Sequence, residues 1–292
     1  MSINLVELVS VCLELAEQSG DIIRNIYRSG SLDVKYKGVD DPVTIADITV
    51  QKHIVAGLRC YWPELRIIGE EELQIGETPT VLPSLKRLAS YDAIEVPLSE
   101  LIVFIDPLDA TREFTLGNVQ CVMTLIGISR RGSPIAGVIH QPFVDVAGDA
   151  CENAEQWVGR SVYGIVGIPV VGVRDRRQPE DRDKIILATT ASHYNEQVDR
   201  AVQLIKPDKV IRAGGAGFKA LMVIERLADV YVFPTVGMKY WDICAPHAIL
   251  SACGGHLTNP AGNNIDYSDQ KIENKDGVKI KDINDAKTMK RR

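Results

Sequence analysis

No stretch of this sequence approaches the roughly 18–20 uninterrupted apolar residues that a bilayer-spanning helix requires. The opening MSINLVELVSVCLELAEQSG carries acids inside its apolar stretch and has no basic lead-in, so the expectation is a soluble, unexported, cytoplasmic protein. Basic residues are in deficit, 33 Lys and Arg against 39 Asp and Glu, for a net charge of −6. That balance speaks against a general binder of nucleic acid polymers, whose affinity rests on basic patches, and leaves room for a small phosphorylated ligand. The six cysteines (Cys12, Cys60, Cys121, Cys151, Cys244 and Cys253) lie far apart, with no C-x-x-C pair and too little density for a disulfide scaffold. They read as reduced, mostly buried thiols. There is no internal repeat, low-complexity segment or heptad run, which leaves a scaffold role without the coiled-coil surface it would need.

What is present is an ordinary globular composition, 45% hydrophobic and 25% charged over 292 residues. A chain of this length buries about three quarters of its unfolded surface, enough for one large domain or two lobes. Apolar residues at helical spacing predict a helix from Leu5 to Ile26 ended by Gly30, and a second from Thr44 to Cys60 with Asp47 near its start. RIIGEEE at 66–72 reads as a short strand running into acids, and the Pro-, Ser- and Thr-rich stretch at 76–100 as a surface insertion. LIVFIDP reads as a buried strand delivering Asp106 at its end, followed by two strands joined at Arg131-Gly132. From about residue 184 strands and helices alternate: KIILAT, a helix from Asn195, KVIR, AGGAG, FKALMVIERLA, DVYVFP and WDICAPHAILSA. Two lobes follow, an α+β lobe over 1–183 and an α/β lobe over 184–292, with the tail after Tyr267 expected to be loosely held.

Three apolar runs end in acids: IIGEE (Glu70, Glu71), FIDPLDAT (Asp106, Asp109, Thr111) and YWDICA (Asp242). Singly each has an ordinary reading, as a turn residue, a first-turn helix acid or a solvated strand end. Together, carboxylates converging at buried strand ends would repel one another unless a cation lies between them. Oxygen ligands without His or Cys favour Mg²⁺ or Mn²⁺ over zinc. The proline-stiffened turn Asp106-Pro107-Leu108-Asp109 can aim two carboxylates and the Leu108 carbonyl at one point. Two metals about 3.5–4 Å apart suit in-line displacement at phosphorus by an activated water, that is, phosphate ester hydrolysis. Thr111 and Asp47 are the hydroxyl–carboxylate pair available to orient that water.

GEE at 69–71, DPLDAT at 106–111 and WDICA at 241–245, in that order, resemble the inositol monophosphatase superfamily of magnesium-dependent, lithium-sensitive phosphatases. The segments ADITVQ, PELRIIGEE, FIDPLDATREFTLG, LIGISRRGSPIAGVIHQPF, RAGGAGFK and KYWDICAPHAIL are most similar to its 3′(2′),5′-bisphosphate nucleotidase branch. The resemblance implies the layered αβαβα sandwich of the inositol monophosphatase and fructose-1,6-bisphosphatase type. It further implies two or three magnesium ions held by Glu70, Asp106, Leu108, Asp109 and Asp242, with manganese as a substitute. Asp47 and Thr111 would position the water, and Thr190, His193, Gly215 and Lys219 would face the nucleotide. Backbone amides of a glycine-rich turn and the Lys219 ammonium suit phosphate. The expected substrate is adenosine 3′,5′-bisphosphate, cleaved at the 3′-phosphate to AMP. An inositol polyphosphate 1-phosphatase, or dual activity, is the alternative, and a catalytically dead ligand sensor the reading from another class. Ala110 departs from the family's usual glycine and would fit if its backbone kept a negative φ.

Overall fold

The apolar spacing of the first thirty residues produces α1 (Leu5–Ser29) in the computed structural model, which describes residues 1–38, 41–71, 83–192, 194–268, 273–275 and 277–281. Asn4 caps α1 by accepting from the Val6 amide at 3.1 Å, and Gly30 ends it at φ 70°, a left-handed conformation that glycine adopts without the penalty other residues incur. Thr44 opens α2 (Ile45–Tyr61) by accepting from the Ala46 amide, while Asp47 folds back onto the Thr44 amide. This is a capping box that uses aspartate.

Both helices lie on one face of a five-stranded sheet in the order Arg66–Gly69, Leu101–Asp109, Met123–Arg130, Ser133–Gln141, Arg160–Ile165. The first pair is parallel and the rest form an antiparallel meander. Every residue of Leu101–Asp109 is buried, which is why it reads as a continuous apolar run. Val103 and Ile105 join the core under α1 and α2, whereas Ile102 and Phe104 point into a second core on the opposite face. At its end the pairing register shifts between Asp106 and Asp109, so the DPLD turn is a bulge. The short α3 (Thr111–Thr115) follows.

The second sheet has the order Lys209–Ala213, Ile186–Thr190, Val230–Phe233, Val278–Lys281, His256–Thr258, its first three strands parallel. α4 (Glu196–Ile205) covers its outer face through Ala201, Val202 and Ile205. α5 (Ala216–Ile224) and α6 (Tyr240–Ala252) fill the layer between the sheets, completing the expected α/β sandwich of αβαβα type. α6 approaches the first sheet closely because Gly127 and Gly137, cross-strand partners, leave room for the Ala245 backbone. A Cβ on Gly127 would stand 2.5 Å from the Ala245 nitrogen, and one on Gly137 would collide with the Ala245 carbonyl. Among the described residues no helix is long and apolar enough to cross a membrane, and the six cysteines are free thiols.

Two expectations are corrected. The tail is not loosely held throughout: Val278–Lys281 pairs antiparallel with both Val230–Phe233 and His256–Thr258, with Val278 and Ile280 buried. Nor is the stretch at 76–100 a surface excursion over its described part, 83–100. Leu88, Val96 and Leu98 enter the first core, Glu95–Pro97 pairs with Ser2–Asn4, and Tyr61 donates to the Pro83 carbonyl at 2.6 Å. Residues 76–82 lie outside the described residues.

Candidate active site

A cavity of about 600 Å³ opens where the DPLD bulge, the start of α6 and the carboxyl ends of Ile186–Thr190 and Lys209–Ala213 meet. Glu70, Asp106, Leu108, Asp109, Thr111, Thr190, Gly215, Lys219 and Asp242 all line it. Asp47 stands behind Thr111. His193 lies outside the described residues.

At the floor, Thr111 Oγ1 is 2.9 Å from Asp47 Oδ1 and 2.9 Å from the Leu108 carbonyl. The other Asp47 oxygen accepts from the Thr44 hydroxyl at 2.6 Å and the Thr44 amide at 2.8 Å. Burial pushes Asp47 up to about 6, and the bonds from Thr44 and Thr111 hold it from going higher. A carboxylate with that affinity is ionised at neutral pH and ready to take a proton.

The remaining acids are more strongly perturbed. Burial raises Asp106 well above the usual carboxylate range, and repulsion from Glu70, Asp109 and Asp242 adds to it. Asp242 is raised in the same direction by burial, although it accepts from the Lys239 amide at 2.6 Å. Glu70 reaches about 7 by burial despite the Lys37 ammonium at 2.8 Å. Asp109 is raised by burial and opposed by Lys219 and by the α5 amides of Ala216, at 3.0 Å, and Gly217, at 2.7 Å. Lys219 is itself lowered to about 8 by burial and donates to the Ala213 and Gly215 carbonyls.

Among the described residues no three of these acids converge as ligands of one centre. Glu70 faces Lys37, and Asp109 faces two amides. The donor chemistry nevertheless fits a hard divalent cation: oxygen atoms only, and more buried negative charge than two lysines balance.

Three features escape the sequence pattern. Lys37, on the ribbon pairing Lys35–Gly38 with Asp41–Val43, reaches Glu70 and Glu71 at 2.8 Å each. The Gln51 side chain clamps the Glu71 backbone, accepting from its amide at 2.9 Å and donating to its carbonyl. Thr44 holds Asp47, and here a signal exists, the Thr-x-x-Asp spacing of a capping box. Ala110 overturns an expectation outright, because it adopts φ 72°, ψ 41° rather than a negative φ.

Comparison with known proteins adds a family. The profile of the inositol monophosphatase family matches residues 4–290. The chain is 57% identical to the 3′(2′),5′-bisphosphate nucleotidase 1 of Dictyostelium discoideum, over 96% of this chain and 94% of that protein. It is 37% identical to the Homo sapiens protein of the same name, over 94% and 90%. Among solved structures, the extragenic suppressor protein suhB of Bartonella henselae superposes with a TM-score of 0.69 at 20% identity, covering 97% of this chain and 96% of that one.

Proposed function

From the premise that this chain belongs to the inositol monophosphatase family, we propose that it is a magnesium-dependent, lithium-sensitive phosphatase releasing the 3′-phosphate of adenosine 3′,5′-bisphosphate to leave AMP. It is an enzyme, a phosphoric monoester hydrolase of the bisphosphate nucleotidase type. The observation that carries the mechanism is the Thr111 hydroxyl held between Asp47 and the Leu108 carbonyl at the floor of an acidic cavity.

Glu70, Asp106, the Leu108 carbonyl, Asp109 and Asp242 are the residues that would hold two or three Mg²⁺ ions, with Mn²⁺ as a substitute. Bound there, the metal supplies positive charge to the phosphoryl oxygens and acidifies water. The chain's own part is proton handling and orientation. Thr111 donates to Asp47, leaving its oxygen lone pairs to orient a water. Asp47, with its affinity near 6, receives the proton that passes through the hydroxyl. Thr190, Gly215 and Lys219 line the same cavity, and these three together with His193 are the residues assigned to the nucleotide. In this reading residues 1–183 carry most of the metal ligands, and 184–292 carry Asp242 and the substrate contacts. The place of action is assigned to the cytosol.

Inositol polyphosphates are the second reading, since the acids address only the phosphate and its ester oxygen. Purified protein assayed with magnesium on adenosine 3′,5′-bisphosphate and on inositol 1,4-bisphosphate, each with and without lithium, separates the two. A large nucleotide preference with lithium inhibition is expected. Preference for the inositol ester would move the chain to the alternative, and silence on both would make it a sensor.

A further inference from the structure

We propose that Arg112 binds the second phosphate of the substrate, the one that is not cleaved, and sets a preference for bisphosphates over monophosphates. The inference rests on the phosphatase reading above.

Four cationic side chains line the cavity: Lys37, Arg112, Lys219 and Lys239. Three are committed to the protein. Lys37 bridges Glu70 and Glu71, Lys219 is buried against backbone carbonyls beside Asp109, and Lys239 lies close enough to Asp242 to favour its ionised form. Arg112 is exposed and makes no ion pair among the described residues. Its neighbour Glu113, also at the cavity wall, is occupied by the Asn118 amide at 2.7 Å and packs under Gly214.

The position suits the task. Arg112 follows Thr111 directly, so its backbone is fixed one residue from the hydroxyl that marks the reacting end. The base is firm: Phe114 is fully buried and Thr115 Oγ1 donates to the Arg112 carbonyl at 2.8 Å. A phosphate monoester carries a charge of about −1.5 to −2 at neutral pH. A second one cannot settle among Glu70, Asp106, Asp109 and Asp242, whose demand is for cations. It needs a cation that lines the cavity and has no internal partner, and a guanidinium grips phosphate with two parallel N–H bonds. Adenosine 3′,5′-bisphosphate and an inositol bisphosphate share this second phosphate, so the assignment is to that chemistry.

The test is Arg112→Gln in the full chain with magnesium, assayed on adenosine 3′,5′-bisphosphate against adenosine 3′-monophosphate, and on inositol 1,4-bisphosphate against inositol 1-phosphate. The expected result on the bisphosphate that the wild type prefers is a KM raised roughly 10- to 100-fold with kcat little changed. On its monophosphate counterpart kcat/KM should stay within about twofold of the wild type, and Arg112→Lys should fall between. Equal losses on both esters would place the guanidinium on the scissile phosphate, and no loss on either would place it outside the complex. Both overturn the proposal. Silence of the wild type on all four esters would instead overturn the phosphatase reading itself.

Discussion

Replacing Thr44 by valine keeps the volume and branching of the side chain and deletes its hydroxyl. That hydroxyl accepts from the Ala46 amide at 3.2 Å and donates to Asp47 Oδ2 at 2.6 Å. Loss of an N-cap costs about 1 kcal/mol, and loss of a hydrogen bond to a charged group about 1.5–3 kcal/mol, so Thr44→Val should destabilise the fold by about 2.5–4 kcal/mol. The second contribution also acts on ionisation. Asp47 stands at about 6 because burial disfavours its charge and the Thr44 and Thr111 hydrogen bonds favour it. Withdrawing one of those bonds should raise it further, by roughly one to two pH units. A carboxyl raised in this way is protonated below its pKa and cannot act as a base there, so activity falls as pH drops through that value. Bound divalent cations favour the carboxylate and shift the limb downward in wild type and variant alike. The assay is kcat/KM from about pH 4.5 to 8.5, paired with urea unfolding. Thr44→Val should show an acid limb displaced to higher pH and activity recovering at the alkaline end, while Thr44→Ser should keep the wild-type profile. Superposed limbs for valine and wild type, or a serine variant as impaired as the valine one, would refute the role given to Asp47.

Asp106→Asn keeps the oxygen that accepts from the Leu108 amide at 3.1 Å but removes a buried charge repelled by Glu70, Asp109 and Asp242. Turnover should vanish, while thermal melting in a chelator should occur no lower than for the wild type and magnesium should raise it less. Ala110→Gly should stabilise the protein by about 0.5–1 kcal/mol in urea titrations. A left-handed alanine costs about 1–2 kcal/mol, of which glycine's freer unfolded chain takes back about 0.4–1 kcal/mol.

Much of this was legible in the residues themselves. Continuous apolar runs ending in acids marked Leu101–Asp109 and the start of α6, and the strand–helix alternation after residue 184 marked the second sheet. What escaped did so for physical reasons. Val278–Lys281 has the two-residue alternation of a half-buried strand, but four residues in a polar tail give periodicity too little length to act on. Leu88 and Val96 lie in a short stretch whose apolar residues are interrupted by charges and two prolines, so no one period is sustained, and the burial of Val96 is decided by a partner far along the chain, the strand at Ser2–Asn4. Ala110 shows a backbone need overriding a side-chain preference, since the bulge between Asp106 and Asp109 imposes a left-handed residue before α3. Lys37 meets Glu70 across 33 positions, a pairing that no local pattern contains.

The placement of Val278–Lys281 bears on how the protein comes to exist during synthesis. This strand fills an interior slot between Val230–Phe233 and His256–Thr258, so both neighbours present open edges until residue 281 has been translated and has left the ribosome. The wall that backs α5 and α6, and with them Lys219 and Asp242, therefore closes last. A messenger interrupted shortly before this strand would yield a polypeptide with nearly every chemical group of the site but a three-stranded sheet and His256–Thr258 left without its strand partner, a substrate for chaperones and proteases rather than an enzyme.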